Sequence, residues 1–347
     1  MKNNTGSDNQ QSIFEKRPMY EKPFNSENLS QSAFLVTGGA GFIGSNIVTY
    51  LLKFKAKKVV VLDNLSEGSF RNIEPFMNLP NFQFIQGDLT DFATCLKATE
   101  NIDFVSHQGA LGSVPRSIKY PLATNAANVT GFLNILEASR KNEVSRFIFA
   151  SSSSVYGDSH TLPKMESIIG KPMSPYAVSK LVNEQYAAIF NKTYRMQTVG
   201  LRYFNIFGPN QKPDGAYAAV LPLFMKAIVD NIPPYINGDG LQSRDFTFVE
   251  NAVKANVLAM FTTNEQAYGD VFNIAAGEKY TVNELFEMLK EISGSTLEAI
   301  HREDRPGDVR DSLADISKAK TILGYQPDVF TKEGLKIAFS WFKERFA

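Results

Sequence analysis

AFLVTGGAGFIG, residues 33–44, is the stretch on which the fold turns. An apolar run enters a cluster of glycines, and FIGSNIVTYLLKF, residues 42–54, then carries apolar side chains at helical spacing. Gly38, Gly41 and Gly44 stand in the pattern G-x-x-G-x-x-G between that strand and that helix. The first glycine permits a tight turn, the second lets the backbone approach a pyrophosphate, and the third lets helix and strand pack closely. The helix N-terminus, with Phe42 and Ile43 in its first turn, offers unpaired N–H groups and a partial positive charge to phosphates. A glycine turn by itself carries no ligand, but a strand before it and a helix after it make it a dinucleotide site.

Working outward, KVVVLDN (58–64), FQFIQGDL (82–89), DFVSHQGA (103–110), RFIFASSS (146–153) and TVGLRYFN (198–205) are further short apolar runs. Helix-like segments lie between them, such as NAANVTGFLNILEASRKN (125–142) and YAVSKLVNEQYAAIFNKTY (176–194). Nearly continuous apolar strands that alternate with helices predict a parallel sheet covered on both faces. From about residue 206 the rhythm loosens into stretches rich in Gly, Pro and Asp, followed by helical patterns at 281–293, 316–323 and 330–346. The expected architecture is an α/β chain: a polar arm at 1–31, a doubly wound nucleotide-binding domain of Rossmann type at 32–205, and a smaller α/β substrate lobe at 206–347, with the chain crossing between lobes. The arm is read as partly disordered or laid over the main body.

Composition narrows the function. The 347 residues include 36 Lys+Arg and 36 Asp+Glu, so the formal net charge is zero and the basic excess of a nucleic-acid binder is missing. No apolar run reaches the length of a membrane span, and the first twenty residues lack the apolar centre of a signal peptide. A single cysteine, Cys95, allows no intrachain disulfide. The expectation is a cytoplasmic protein with no membrane insertion, no nucleic-acid partner and no metal site.

Asp63 ends the second strand, about twenty residues beyond the glycines, where a carboxylate accepts hydrogen bonds from both ribose hydroxyls. It would repel a 2′-phosphate, so NAD is expected over NADP. Asp88, after the third strand, is placed to meet the adenine. Asn64, Leu89 and Gln108 complete the expected cofactor set.

SSSSVYG, residues 151–157, follows a buried-looking strand, and ligands of open parallel sheets bind outside the strands' carboxyl ends. YAVSK, residues 176–180, then opens a helix that puts Tyr176 and Lys180 on one face. A tyrosine, with an unperturbed pKa of about 10, needs about 4 kcal/mol of differential interaction to become a base at neutral pH. A lysine cation and a positive nicotinamide ring are expected to supply it.

These motifs, with LRYFNIFGP (201–209), SRDF (243–246) and RPGDVRDS (305–312), resemble the extended short-chain dehydrogenase/reductases, in particular the nucleotide-sugar 4-epimerases, from about residue 33 onward. The resemblance implies Ser152, Tyr176 and Lys180 as catalytic residues, a 4-keto sugar intermediate, tightly held NAD and a homodimer. Related dehydratases carry an Asp-Glu pair after the catalytic Thr, and related decarboxylases a Glu two residues after it. Here those positions are Ser153 and Ser154, so epimerisation is expected. The resemblance further implies a UDP carrier, with Asn205, Arg244 and Arg305 at the diphosphate, Asp308 at the ribose, and Ala219, Val220, Tyr235 and Asn237 near the uracil. Gly112, Ser154, Asn205, Gln211, Ala219 and Ser312 would line the sugar pocket. Where members restricted to plain hexoses carry tyrosine, this chain has Ser312, which leaves room for an N-acetyl group. UDP-N-acetylglucosamine is therefore expected, with plain hexoses or the uronic acid form as alternatives, and a non-catalytic NAD-sensing protein as an alternative of another class.

Overall fold

The computed structural model describes residues 19–213, 219–303 and 310–346. Strand β1 (Ala33–Thr37) is buried at every position. It is followed by β2 (Lys58–Asp63), β3 (Phe82–Gln86), β4 (Phe104–His107), β5 (Arg146–Ser152) and β6 (Thr198–Tyr203). After the short strands β7 (Ile206–Phe207), β8 (Tyr235–Asn237), β9 (Ser243–Arg244) and β10 (Thr247–Phe248) comes β11 (Asp270–Ile274). Strands β12 (Tyr280–Thr281) and β13 (Ile300–Arg302) complete the set.

The main sheet has seven parallel strands in the order β11-β6-β5-β4-β1-β2-β3. Thr37 pairs with Leu62 on one side and with His107 on the other, so the loops after β1, β2 and β4 leave the sheet at one level. The connections run outward in opposite directions from β1 and β4, and the crevice at that switch point is where an open α/β sheet takes its ligand.

Helices α1 (Phe42–Lys53) and α2 (Phe92–Ala98) follow β1 and β3, and α3 (Val114–Lys119), α4 (Pro121–Asn125) and α5 (Gly131–Lys141) lie between β4 and β5. A π-helical turn, Ala126–Thr130, joins α4 to α5. Helix α6 (Pro175–Tyr194) starts with Pro175 and is capped by Ser174, whose side chain accepts from the Ala177 N–H, which fixes the turn that carries Tyr176. The later helices are α7 (Val220–Asp230), α8 (Val249–Phe261), α9 (Val282–Ser293), α10 (Ser317–Leu323) and α11 (Thr331–Phe346).

Alternation along β1 builds two cores. Phe34 and Val36 pack with Ile47, Val48 and Leu51 of α1 and Val253 and Val257 of α8. Leu35 faces the opposite side, with Phe132, Ile135 and Leu136 of α5 and Phe190 of α6. Each such side chain contributes roughly 1.5–3 kcal/mol on burial. Strand β11 and helix α8 follow residue 206 in sequence yet belong to this sandwich, so the chain after residue 206 returns to the main sheet. Of the arm, Met19 and Tyr20 are buried against the body.

Candidate active site

The glycine turn divides its labour. Gly38 adopts φ +64°, and a Cβ there would lie 2.7 Å from the Gly109 nitrogen; a Cβ on Gly44 would lie 2.2 Å from the Gly38 carbonyl oxygen. Both positions are closed by the protein itself. Gly41 is different: within 4 Å its Cβ would meet only Gly38, with the carbonyl oxygen at 3.0 Å. The open side belongs to the cleft, and α1 starts there with no side-chain cap. The first-turn N–H groups lack intrahelical partners by geometry, so the cradle fits a pyrophosphate.

That cradle is one wall of a cleft of about 1070 Å³. The volume passes the upper end of the roughly 300–1,000 Å³ usual for one ligand, which leaves space for a dinucleotide beside a second molecule. Asp63 lines it at the end of β2, taking N–H bonds from Ala40 at 3.0 Å and Leu65 at 2.8 Å. Burial raises its pKa, while those two N–H groups and Lys212 oppose the shift, and each oxygen keeps a lone pair for a ribose hydroxyl. Asp88 accepts from Asn64 at 2.8 Å and from the Thr90 N–H and hydroxyl, and those bonds hold its pKa down. Gln108 is held by Ser106 at 3.0 Å and by the Tyr203 hydroxyl at 3.2 Å. Phe42, Ile43 and Leu89 also face the cleft.

Across the cleft, the end of β5 and the first turns of α6 bring Ser152, Ser153, Tyr176 and Lys180 together. Ser152 hydrogen-bonds to the Tyr176 hydroxyl. The Ser152 oxygen also accepts from the Ser154 N–H at 3.1 Å and from the Ser154 hydroxyl at 3.0 Å. Ser154 thus stands behind Ser152, outside the lining of the cleft.

The expected electrostatics of the tyrosine need correction. Burial raises the Tyr176 pKa, the Ser152 bond is the opposing influence, and Lys180 is not among the causes. Lys180 is 2% exposed, and burial brings its pKa down to about 8 against the upward pull of Glu184. Glu184 itself pairs with Arg202 at 2.8 Å inside the protein and accepts from Ser151 at 2.5 Å. The sequence reading passed over this pair, although Glu184 lies one turn beyond Lys180 and Arg202 interrupts an apolar strand.

Gly109 leaves no gap near the cofactor site, because a Cβ there would lie 2.8 Å from a Leu89 methyl. Two contacts among residues that line the cleft were also missed: Arg116 pairs with Glu67 at 2.6 Å, and Lys212 donates to the Gly68 carbonyl at 3.3 Å.

Of the expected sugar-nucleotide residues, Gly112, Asn205, Gln211 and Ala219 line the cleft. Val220 is next in sequence, as the first residue of α7. Tyr235, Asn237, Arg244 and Ser312 lie beyond the lining of the cleft. Tyr235 and Asn237 are on β8, where Arg302 sits over the Tyr235 ring at 5.3 Å and donates to Asn237 at 2.6 Å. Arg244 donates to the carbonyls of Ser243 at 2.8 Å and Arg310 at 3.0 Å. Ser312 is buried, with its N–H on the Ser243 carbonyl at 3.0 Å. Arg305 and Asp308 fall outside the described residues. Among the described residues, no His, Cys, Asp and Glu cluster has the makings of a metal site, and no helix is long and apolar enough to cross a membrane.

A nucleotide cradle at the β1–α1 turn facing a Ser-Tyr-Lys set defines a class of enzyme, and comparison with known proteins agrees. The pattern of the NAD dependent epimerase/dehydratase family matches residues 34–275, and the chain belongs to that family. Its cofactor is NAD. A UDP-N-acetylglucosamine 4-epimerase from Methanobrevibacter ruminantium M1, solved with UDP-N-acetylmuramic acid, is 40% identical, covering 90% of this chain and 99% of that one with a TM-score of 0.85. A UDP-glucose 4-epimerase from Thermotoga maritima, solved with UDP-glucose, is 37% identical over 91% of this chain and 100% of its own, with a TM-score of 0.84. A UDP-glucuronate 4-epimerase from Thermodesulfobacterium geofontis is 30% identical over 90% of this chain and 96% of its own.

Proposed function

We propose that the protein is a UDP-sugar 4-epimerase that interconverts UDP-N-acetylglucosamine and UDP-N-acetylgalactosamine. The observation that carries the reaction type is the all-hydroxyl set beside Tyr176. Ser152 bonds to the tyrosine, and Ser153 and Ser154 occupy the positions where expelling water or carbon dioxide calls for a carboxylate. The carboxylates that line the cleft, Asp63, Glu67 and Asp88, sit at the end of β2 and on the loops after β2 and β3.

NAD, held by the turn at 38–44, Asp63 and Lys180, would supply a reversible hydride acceptor and donor for C4 of the sugar. Tyr176 takes the proton of the 4-hydroxyl and later gives it back to the same oxygen. Ser152 holds that oxygen, its own hydroxyl aligned by the two bonds from Ser154. Lys180, anchored on the Ala150 carbonyl at 2.8 Å, keeps a positive charge at the site. The cleft's volume lets the keto sugar turn over while the carrier stays bound.

The choice of sugar rests on small residues. A side chain at Gly112 would meet nothing within 4 Å, and by the resemblance Ser312, buried just beyond the cleft's lining, holds the position where members restricted to plain hexoses carry tyrosine. Ser312→Tyr tests it: kcat/KM for the N-acetylated pair is expected to fall at least tenfold, with UDP-glucose turnover kept, given roughly 1–3 kcal/mol for overpacking. Equal loss on both sugars, or no change, contradicts the assignment.

A further inference from the structure

Tyr20 precedes the family pattern, which begins at Phe34, yet it is 1% exposed. Its backbone turns at φ 60°, and its N–H is taken by the Glu250 carboxylate at the start of α8. Its ring meets Tyr50 edge-on at 5.5 Å. The Tyr50 hydroxyl accepts from the Phe24 N–H at 2.8 Å, the Phe24 ring stacks on Tyr50 at 4.8 Å, and Lys53 donates to the Met19 carbonyl at 2.9 Å. Asn46, Tyr50 and Lys53 are spaced i, i+4, i+7, so one face of α1 receives the whole segment.

The connection that matters runs through Asn46, which is completely buried. Its Oδ1 accepts from the Tyr20 hydroxyl at 3.3 Å. Its Nδ2 donates to the Phe42 carbonyl at 3.0 Å and to the Pro209 carbonyl at 2.9 Å. Phe42 opens the first turn of α1, and Pro209 precedes Asn210 and Gln211, which line the cleft. Asn210 adds a parallel tie to the Ser45 hydroxyl at 2.9 Å. An amide has one oxygen and one NH₂ group. Turned by half a rotation, Asn46 would set its oxygen against the two carbonyls. The two carbonyls therefore set which way the amide faces, and the Tyr20 hydroxyl, donating to the remaining Oδ1, holds the side chain in place against them.

We propose that Tyr20 is a positioning residue for the cleft, acting through Asn46 to lock the first turn of α1 to the loop that follows β7. The inference rests on the reading of that turn as the NAD site. The bland alternative is a segment that merely covers apolar surface on α1 and α8, in which case the Tyr20 ring matters and its hydroxyl does not.

The experiment is the rate of NAD release from the full-length holoenzyme, for wild type, Tyr20→Phe, Asn46→Ala and the double variant. Tyr20→Phe keeps the ring and its packing, so it is expected to fold, with a melting temperature at a fixed NAD concentration lowered only as far as its weaker NAD binding requires. Its NAD release is expected to be about tenfold faster, the ratio carried by one net hydrogen bond, with the loss in NAD affinity and not in kcat at saturating NAD. The double variant is expected to be no worse than Asn46→Ala alone, because the two side chains act as one unit. Should Asn46→Ala fail to fold, Tyr20→Phe alone decides. NAD release from Tyr20→Phe at the wild-type rate, or fully additive effects in the double variant, would overturn the proposal. Wild-type protein that binds no NAD at all would overturn the cofactor reading and this inference together.

Discussion

The Lys180 ammonium lies 5.8 Å from the centre of the Tyr176 ring and gives a hydrogen bond to the Ala150 carbonyl at 2.8 Å. The lysine is therefore a buried charge near the phenol, not its bonding partner. Burial raises the Tyr176 pKa, and only Ser152 opposes it. The base is consequently latent until a positive nicotinamide ring is in place.

In NAD-free protein, then, Tyr176 stays protonated at neutral pH. Addition of oxidised NAD should lower its pKa, because the new positive charge favours phenolate. The phenolate absorbance of wild type minus Tyr176→Phe, titrated with and without NAD, reads this. A phenolate already present at pH 7 in the stripped protein contradicts it.

Glu184→Gln should damage both stability and the pH profile. The change leaves the Arg202 guanidinium buried without its carboxylate, and breaking such a pair costs about 3–5 kcal/mol. It also removes the charge that opposes the effect of burial on Lys180, so the Lys180 pKa falls below about 8. Urea unfolding should show the loss, and the limb of the pH–rate profile set by Lys180 deprotonation should move to lower pH. An unchanged profile would mean that Glu184 is structural alone.

Gly41→Ala and Gly44→Ala should fail in different ways. At Gly44 the added methyl meets the Gly38 carbonyl oxygen at 2.2 Å, so the turn itself must move and the melting temperature falls. At Gly41 the methyl projects into the cleft with 3.0 Å to the same oxygen. That variant should melt near wild type without cofactor but lose NAD affinity by about tenfold or more, because the methyl displaces phosphate contacts. Equal behaviour of the two variants in both assays contradicts the division.

His107 is buried, within 2.8 Å of the Thr37 hydroxyl, and its pKa is brought down to about 3 by burial first and by Lys180 second. Below pH 6.5 the unfolded chain takes a proton there that the folded protein refuses. Stability from this group is therefore complete above 6.5 and is lost progressively as pH falls towards 3. A His107→Gln variant should lose stability less steeply than wild type between those values. Parallel curves would show that the site does not contribute.

Much of this was legible in the sequence because the signals are local. The glycine spacing at 38, 41 and 44, the carboxylate at the end of the next strand, and the Tyr176–Lys180 pair each lie within one turn or one strand of the feature that interprets them. The Lys180 environment was not legible, since desolvation depends on what packs around the side chain. Nor was the path from Tyr20 through Asn46 to Pro209, whose members are 26 and 163 residues apart. The arm was set down by composition, which sees its polar residues and not that Tyr20 and Phe24 fit the face of α1. Arg202 was visible as a charge in an apolar strand, but its partner on α6 was fixed only by packing.

The central claim is reversible C4 chemistry in which the hydride never leaves the complex. The most direct test is proton NMR of the purified protein with UDP-N-acetylglucosamine in deuterated water, with no NAD added. Anomeric signals of UDP-N-acetylgalactosamine should grow, and the C4 position should keep its original hydrogen through many turnovers. Deuterium at C4, or no epimer from this sugar, from UDP-glucose or from UDP-glucuronate even after NAD is supplied, would contradict the account.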